Sequence, residues 1–133
     1  MANTLYDKGR EKFATAQINW TSDTIRVALV DTGVYTLNAS THEFYSSVSG
    51  VVAGPVTLSG CALVSGACDA NDVTFSAVSG SSSEALIIYK DTGNAATSPL
   101  LVYIDTATGL PITPNGGDIV VTWDNGTNRI FKL

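Results

Sequence analysis

The strongest constraint in this chain lies in its last fifty residues, where strand-forming runs alternate with turns that admit few conformations. SEALIIYKD and PLLVYIDT are separated by DTGNAATS, and after GLPITPNGGD come IVVTW, the turn DNG and TNRIFKL. Leu86 to Lys90 and Leu100 to Asp105 are apolar at successive positions, the pattern of strands covered on both faces. Asn125-Gly126 favours a tight hairpin. A two-residue loop there puts Lys132 opposite Ile119, on the face that carries Val121 and Trp123. A three-residue loop, Asp124-Asn125-Gly126, instead pairs Trp123 with Thr127, Val121 with Arg129 and Ile119 with Phe131. Ile119, Val121, Trp123, Phe131 and Leu133 then share one face. A one-residue slip turns every side chain over, so the register that buries most apolar surface is the expected one.

Upstream, TIRVALVD reads as a strand with Ile25, Val27 and Leu29 on one face and Arg26, Ala28 and Val30 on the other. Further strands are expected at PVTLSG, CALVSG and DVTFSAV, between turns rich in Gly, Ser, Asn and Asp. The segment from Thr32 to Pro55 is the least regular: THEFYSSV reads as one helical turn presenting Phe44 and Val48, and GVVAGP as a loop or weak strand. Residues 4–16 read as a short amphipathic helix. Thr4 and Asp7 make a capping-box-like start, and Leu5, Gly9, Phe13 and Ala16 recur at helical spacing with Tyr6 alongside. Gly9 weakens such a helix by about 1 kcal/mol relative to Ala. A helix this short is marginal alone and must dock, either on its own sheet or on a neighbouring subunit. In the second case Leu5, Tyr6 and Phe13 are subunit-interface residues. The fold class expected is all-β, a jelly-roll-like β-sandwich of about seven to eight short strands with one short N-terminal helix. Residues 1–133 form one domain, with 1–16 an N-terminal helical arm.

At 133 residues, 44% hydrophobic and only 14% charged, the chain has enough material for one core. Its surface must be made largely of Thr, Ser, Asn and Gly. Such a surface suits packing against other protein, since few charges are desolvated on contact, and it equally suits an ordinary Thr/Ser-rich β-protein. The formal net charge of −5 speaks against nucleic acid as a partner. Lys8, Arg10 and Lys12 are interleaved with Asp7 and Glu11, as on a solvated helix face. MANTLYDKGREKF is too charged for a signal peptide, and no run is apolar enough for a membrane span. Folding in a cytoplasm, without a membrane partner, is the expectation.

Residues able to do chemistry are few and scattered. His42 is the single histidine and reads as a surface-loop residue. No GxSxG nucleophile elbow occurs. Asp31-Thr32-Gly33 and Asp91-Thr92-Gly93 share DTG with aspartic proteases, but the tripeptide is also a good turn, and Asp91 lies in a long polar loop. Asp69, Asn71 and Asp72 resemble a fragment of a calcium loop without its glycine and distal glutamate. Gly116-Gly117 is not followed by a helix, so it suggests no phosphate loop. If Val64-Ser65 is the tip of a hairpin, Cys61 and Cys68 face each other; in a reducing compartment both are expected to be free thiols. Two cysteines and a distant histidine do not make a zinc site. No catalytic residue, metal or cofactor is expected.

LYDKGREKF leading into INW, then TIRVALVDTGVYTLNASTHEF, SEALIIYKDTG and above all YIDTATGLPITPNGGDIVVTWDNGTNRIFKL resemble a family of small tailed-bacteriophage virion structural proteins of the capsid decoration, or cement, type. The resemblance spans nearly the whole chain and is densest from Ala85 to Leu133; GPVTLSGCALVSGACD is its most individual part. It implies a virion protein assembled in the bacterial host cytoplasm and bound to the major capsid protein lattice. Decoration proteins of this kind are commonly homo-oligomers, often trimers at local three-fold axes, that bind after shell expansion and clamp neighbouring subunits. Two other classes compete with this reading. One is a tail, baseplate or fibre component; the other is a carbohydrate-binding or adhesin module, which needs Trp20, Tyr35, Tyr45 and Trp123 as an exposed aromatic platform.

Overall fold

The computed structural model describes residues 4–105, 112–123 and 130–132. In chain order these form β1 (Thr4–Leu5), α1 (Asp7–Ala14), β2 (Ile25–Val30), β3 (Val51–Thr57), β4 (Ala62–Val64), β5 (Ala67–Asp69), β6 (Val73–Phe75), β7 (Ala85–Lys90), β8 (Leu100–Ile104), β9 (Ile119–Val121) and β10 (Phe131–Lys132). Single 3-10 turns occupy Tyr45–Ser47 and Ala95–Thr97. The fold is mostly β with one short helix. A five-stranded antiparallel sheet, ordered β1-β8-β7-β2-β3, is accompanied by a three-stranded sheet, β10-β5-β4, and a two-stranded one, β6-β9.

The centre of the large sheet follows the sequence pattern. β2 pairs with β7 without a break from Ile25↔Lys90 to Val30↔Ala85. Alternation then sends Ile25, Val27, Leu29, Leu86 and Ile88 to one face and Val30, Ala85, Ile87 and Tyr89 to the other. Both faces are buried, which is why these runs read as continuously apolar. β8 carries one irregularity. Ile88 opposes Val102 and Tyr89 opposes Leu100, leaving Leu101 as the extra residue of a bulge. Leu101 and Val102 consequently both pack into the first core, while Leu100 and Tyr103 face the second.

The two small sheets cover the first face. Cys68, Val73, Phe75, Ile119, Val121, Trp123, Ile130 and Phe131 join the strand residues there in one buried cluster. The expected inward set of Ile119, Val121, Trp123 and Phe131 is therefore buried, and Leu133 lies outside the described residues. The expected pairing is corrected. β9 pairs with β6, placing Ile119 opposite Phe75 and Val121 opposite Val73. β10 pairs with β5, placing Phe131 opposite Cys68. Ile119 and Phe131 are thus in different sheets, each meeting a partner from the middle of the chain. The loop at 124–126 on which the hairpin argument turned is outside the described residues.

The N-terminal segment also departs from expectation. Thr4 and Leu5 are strand, paired with Tyr103 and Val102, and the Tyr6 N–H donates to the Leu101 carbonyl at 3.0 Å. The helix starts only at Asp7, with Tyr6 at its N-cap and no capping side chain, so the Thr4 capping box does not form. Gly9 is the buried residue of α1. A Cβ there would sit 2.4 Å from the Leu100 carbonyl oxygen and 3.2 Å from the Leu101 Cα. The helix rests directly on the backbone of the β8 bulge, and only glycine permits that approach. Its propensity cost is offset by docking.

Candidate interaction surface

Leu5 and Tyr6, as consecutive extended residues, point to opposite faces of the sheet. Leu5 is half-buried against the first core, and Phe13 is half-buried with its ring centroid 6.1 Å from that of Phe131. Tyr6 is 0% exposed. Its assignment to a subunit interface is corrected, because the side chain lies wholly inside its own chain. The helix charges are paired at the surface, Lys8 with Glu11 at 3.3 Å and Arg10 with Asp7 at 3.6 Å, and Lys12 reaches Glu43 at 3.2 Å. The helix therefore packs on its own subunit through Gly9 and Phe13.

The second face of the sheet is covered by Tyr6 and the segment from Thr32 to Val48. All five tyrosines of the chain, Tyr6, Tyr35, Tyr45, Tyr89 and Tyr103, meet there. The Tyr6 and Tyr35 hydroxyls lie 2.8 Å apart, and the Tyr35 hydroxyl lies 2.8 Å from His42 Nδ1. Tyr45 stacks on Tyr89 at 4.0 Å between centroids. Burial raises the Tyr6 hydroxyl far above the ordinary phenol range, reinforced by its bond to Tyr35, and pushes Tyr89 up to about 12. Burial also raises Tyr35, Tyr45 and Tyr103. His42 lies in a loop, as expected, and is half-buried and hydrogen-bonded there. Nothing in the spacing 6, 35, 45, 89, 103 announces this cluster; the one sequence clue is that Tyr89 and Tyr103 fall on the same face of adjacent strands.

The acidic turns are occupied by structure. Asp31 Oδ1 accepts from the Gly33 N–H at 2.8 Å, and Asp91 Oδ1 from the Gly93 N–H at 2.9 Å, so both DTG tripeptides form side-chain-closed turns. Asp91 also sits 3.7 Å from Arg26. The segment from Asp69 to Asp72 holds the two tryptophans. The Trp20 indole donates to the Asp69 carbonyl, and the Trp123 indole donates to the Asn71 carbonyl. Asp72 Oδ1 accepts from the Trp123 backbone N–H. Among the described residues no group of three His, Cys, Asp or Glu is placed to hold a metal, and no helix is long and apolar enough to cross a membrane.

The β4–β5 hairpin turns at Ser65-Gly66, not at Val64-Ser65. Both turn residues have positive φ, 49° and 84°, the requirement of a type I′ turn. Leu63 then opposes Cys68 and Ala62 opposes Asp69, so the expected facing of Cys61 and Cys68 is corrected: the turn moves by one residue and the partner of Cys68 by two. Both thiols are free. Burial raises Cys61 and, with the Cys61 charge added, pushes Cys68 up to about 12.

Among the described residues Val34, Val51, Leu63, Val64 and Val120 are the large hydrophobic residues left exposed. Val34 and Val51 flank an open groove of about 260 Å³ that Gly50, Ser79, Gly80 and Asp31 also line. From Phe44 to Cys68 the chain carries no charged residue, and most of that stretch is exposed or half-buried. A scan of protein-family models matches no family, and no curated protein matches the chain.

Proposed function

We propose that this chain is a head decoration protein of a tailed bacteriophage, binding the major capsid protein lattice and stabilising the shell as a homo-oligomer, with a trimer the form the sequence resemblance favours. The observation that carries the reading is the stretch from Phe44 to Cys68, which contributes no charged side chain of its own and is mostly exposed or half-buried, on a fold whose central sheet is closed on both faces. Such a surface spreads against protein with little desolvation cost, and a rigid core lets many modest contacts on a preformed lattice add through effective concentration. The corresponding fold reading is a jelly-roll-like sandwich, supported by the layering of the small sheets on the large one. No chemical step is assigned to the protein, since His42, Asp31 and Asp91 all serve local hydrogen bonds. The carbohydrate-platform reading loses its support: Trp20, Tyr35 and Trp123 are all buried. The test is the copy number per particle from stained gels of purified virions. A stoichiometry comparable to the major capsid protein is the expected result. A handful of copies would replace shell decoration with a tail, baseplate or fibre role.

A further inference from the structure

The free strand edges of this molecule are treated differently from one another. β3, at one edge of the large sheet, is broken by two register shifts and by Gly54-Pro55, devices that prevent another chain from pairing along it. β1, at the other edge, is two residues long and runs into the charged helix. β4 has none of these protections. It is regular, all three of its residues are exposed, Leu63 at 55% and Val64 at 43%, and it carries no Pro or charged residue; the charge next to it, Asp69 opposite Ala62, is on β5, the side away from the free edge. Among the described residues no strand pairs with its outer side. In a two-residue hairpin the flanking pair, here Val64 and Ala67, exchanges its hydrogen bonds, so alternation turns the Leu63 N–H and C=O away from β5.

We propose that β4 is a self-association edge: two copies of this chain pair antiparallel through Ala62–Val64 about a two-fold axis at Leu63, joining their β10-β5-β4 sheets into one. A second copy is the occupant that the charge pattern selects. The chain carries a net charge of −5, and a two-fold interface sets every residue near the axis against its own kind, so like charges there would repel. The neutral stretch around β4 avoids that. The pairing is also self-complementary in size, with Leu63 opposite Leu63 and each Val64 opposite the small Ala62 of the other copy. Leu63 gains two backbone hydrogen bonds by it. The contact is isologous and does not close a three-fold ring, so on a shell it would link copies across two-fold positions. The inference does not rest on the shell reading, because it is tested on the protein alone.

The experiment is sedimentation of the purified chain over a concentration series, beside Leu63→Lys and, as a control at another exposed valine, Val120→Lys. Wild type and Val120→Lys should reach dimer mass, and Leu63→Lys should weaken association by at least roughly tenfold, or 1.4 kcal/mol, with its circular dichroism unchanged. A Cys61→Ser/Leu63→Cys/Cys68→Ala variant, with Cys68 removed because it opposes Leu63 within the hairpin, supplies the register: its two new thiols sit on the axis, within the Cα separation that a disulfide tolerates, and mild oxidation should yield a covalent dimer that wild type does not form. A chain that stays monomeric throughout overturns the proposal. So does a dimer that Leu63→Lys leaves intact, or one that Leu63→Cys fails to cross-link.

Discussion

The two faces of the central sheet are closed by different chemistry. The first is covered by strands from the middle and end of the chain and is filled by aliphatic and aromatic side chains, with Trp20 edge-on to Phe131 at 5.3 Å. Its indole nitrogens are each given a carbonyl. The second is covered by Tyr6 and a mostly irregular segment, and is filled by tyrosines, of which Tyr6 and Tyr35 join their hydroxyls to one another and to His42. An irregular cover brings more backbone and polar groups to the interface than a strand does, and the tyrosine hydroxyls give the buried polar surface its partners. The first face should therefore respond to lost volume, and the second to lost hydrogen bonds and to deprotonation.

The largest expected effect is on the first face. Trp123→Ala removes a buried indole and its hydrogen bond to the Asn71 carbonyl, at a cost of about 3–5 kcal/mol, enough to prevent folding in a domain of ordinary stability. Denaturant unfolding measures it, and a loss below about 1 kcal/mol would mean that the small sheets do not share one core with the large one.

On the second face, Gly9→Ala drives a methyl into the Leu100 carbonyl. Helix propensity alone predicts a gain of about 1 kcal/mol, whereas the close approach predicts a loss of about 1–3 kcal/mol. The sign of the change decides between them. Tyr35→Phe leaves the wholly buried Tyr6 hydroxyl with no partner and should cost about 1–3 kcal/mol, whereas Tyr6→Phe leaves Tyr35 bonded to His42 and should cost nearer 1 kcal/mol. The double variant should cost less than the sum. Equal, additive losses would show that the chain of hydroxyls is not a unit.

The alkaline limb of stability separates the faces without mutation. The buried tyrosines have folded-state pKa values raised above those of the unfolded chain, Tyr89 to about 12 and Tyr6 further still. The unfolded state therefore loses protons first. The resulting stability is complete below about pH 10, the unperturbed phenol value, and is lost as pH rises beyond it. Phenolate absorbance should climb together with unfolding, and independent titration of all five tyrosines near pH 10 would contradict the buried cluster. The smallest effect is a rate difference between thiols. Cys61 is half-buried and Cys68 fully buried with its pKa pushed up to about 12, so a thiol reagent should label one site quickly and the other only on unfolding.

These contrasts track what the sequence made legible. β2, β7 and β8 were readable because alternation and unbroken apolar runs report burial directly. For β9 and β10 the same signal gave the correct inward residues and the wrong partners. Burial of Ile119, Val121 and Phe131 is satisfied by any covering strand, and the local Asn-Gly turn pointed to the nearest one. The hairpin at 62–69 missed by one residue because Ser65 accepts a positive φ that Val64 would resist. Tyr6 was placed on a helix because its neighbours have helical spacing; pairing of Thr4 and Leu5 with β8 overrides that local preference. The tyrosine cluster assembles five distant positions and leaves no local trace.

The account's central claim is that the segment before residue 17 completes its own subunit's core, with Leu5 and Phe13 against the first face and Tyr6 in the second. Thermal unfolding of a chain lacking residues 1–16 tests this most directly. Loss of Tyr6 and of the α1 cover should leave the β8 bulge and Tyr35 exposed, giving a chain that fails to fold or melts far below the full-length protein. A truncated protein with an unchanged melt would contradict the claim and return Leu5, Tyr6 and Phe13 to a neighbouring subunit.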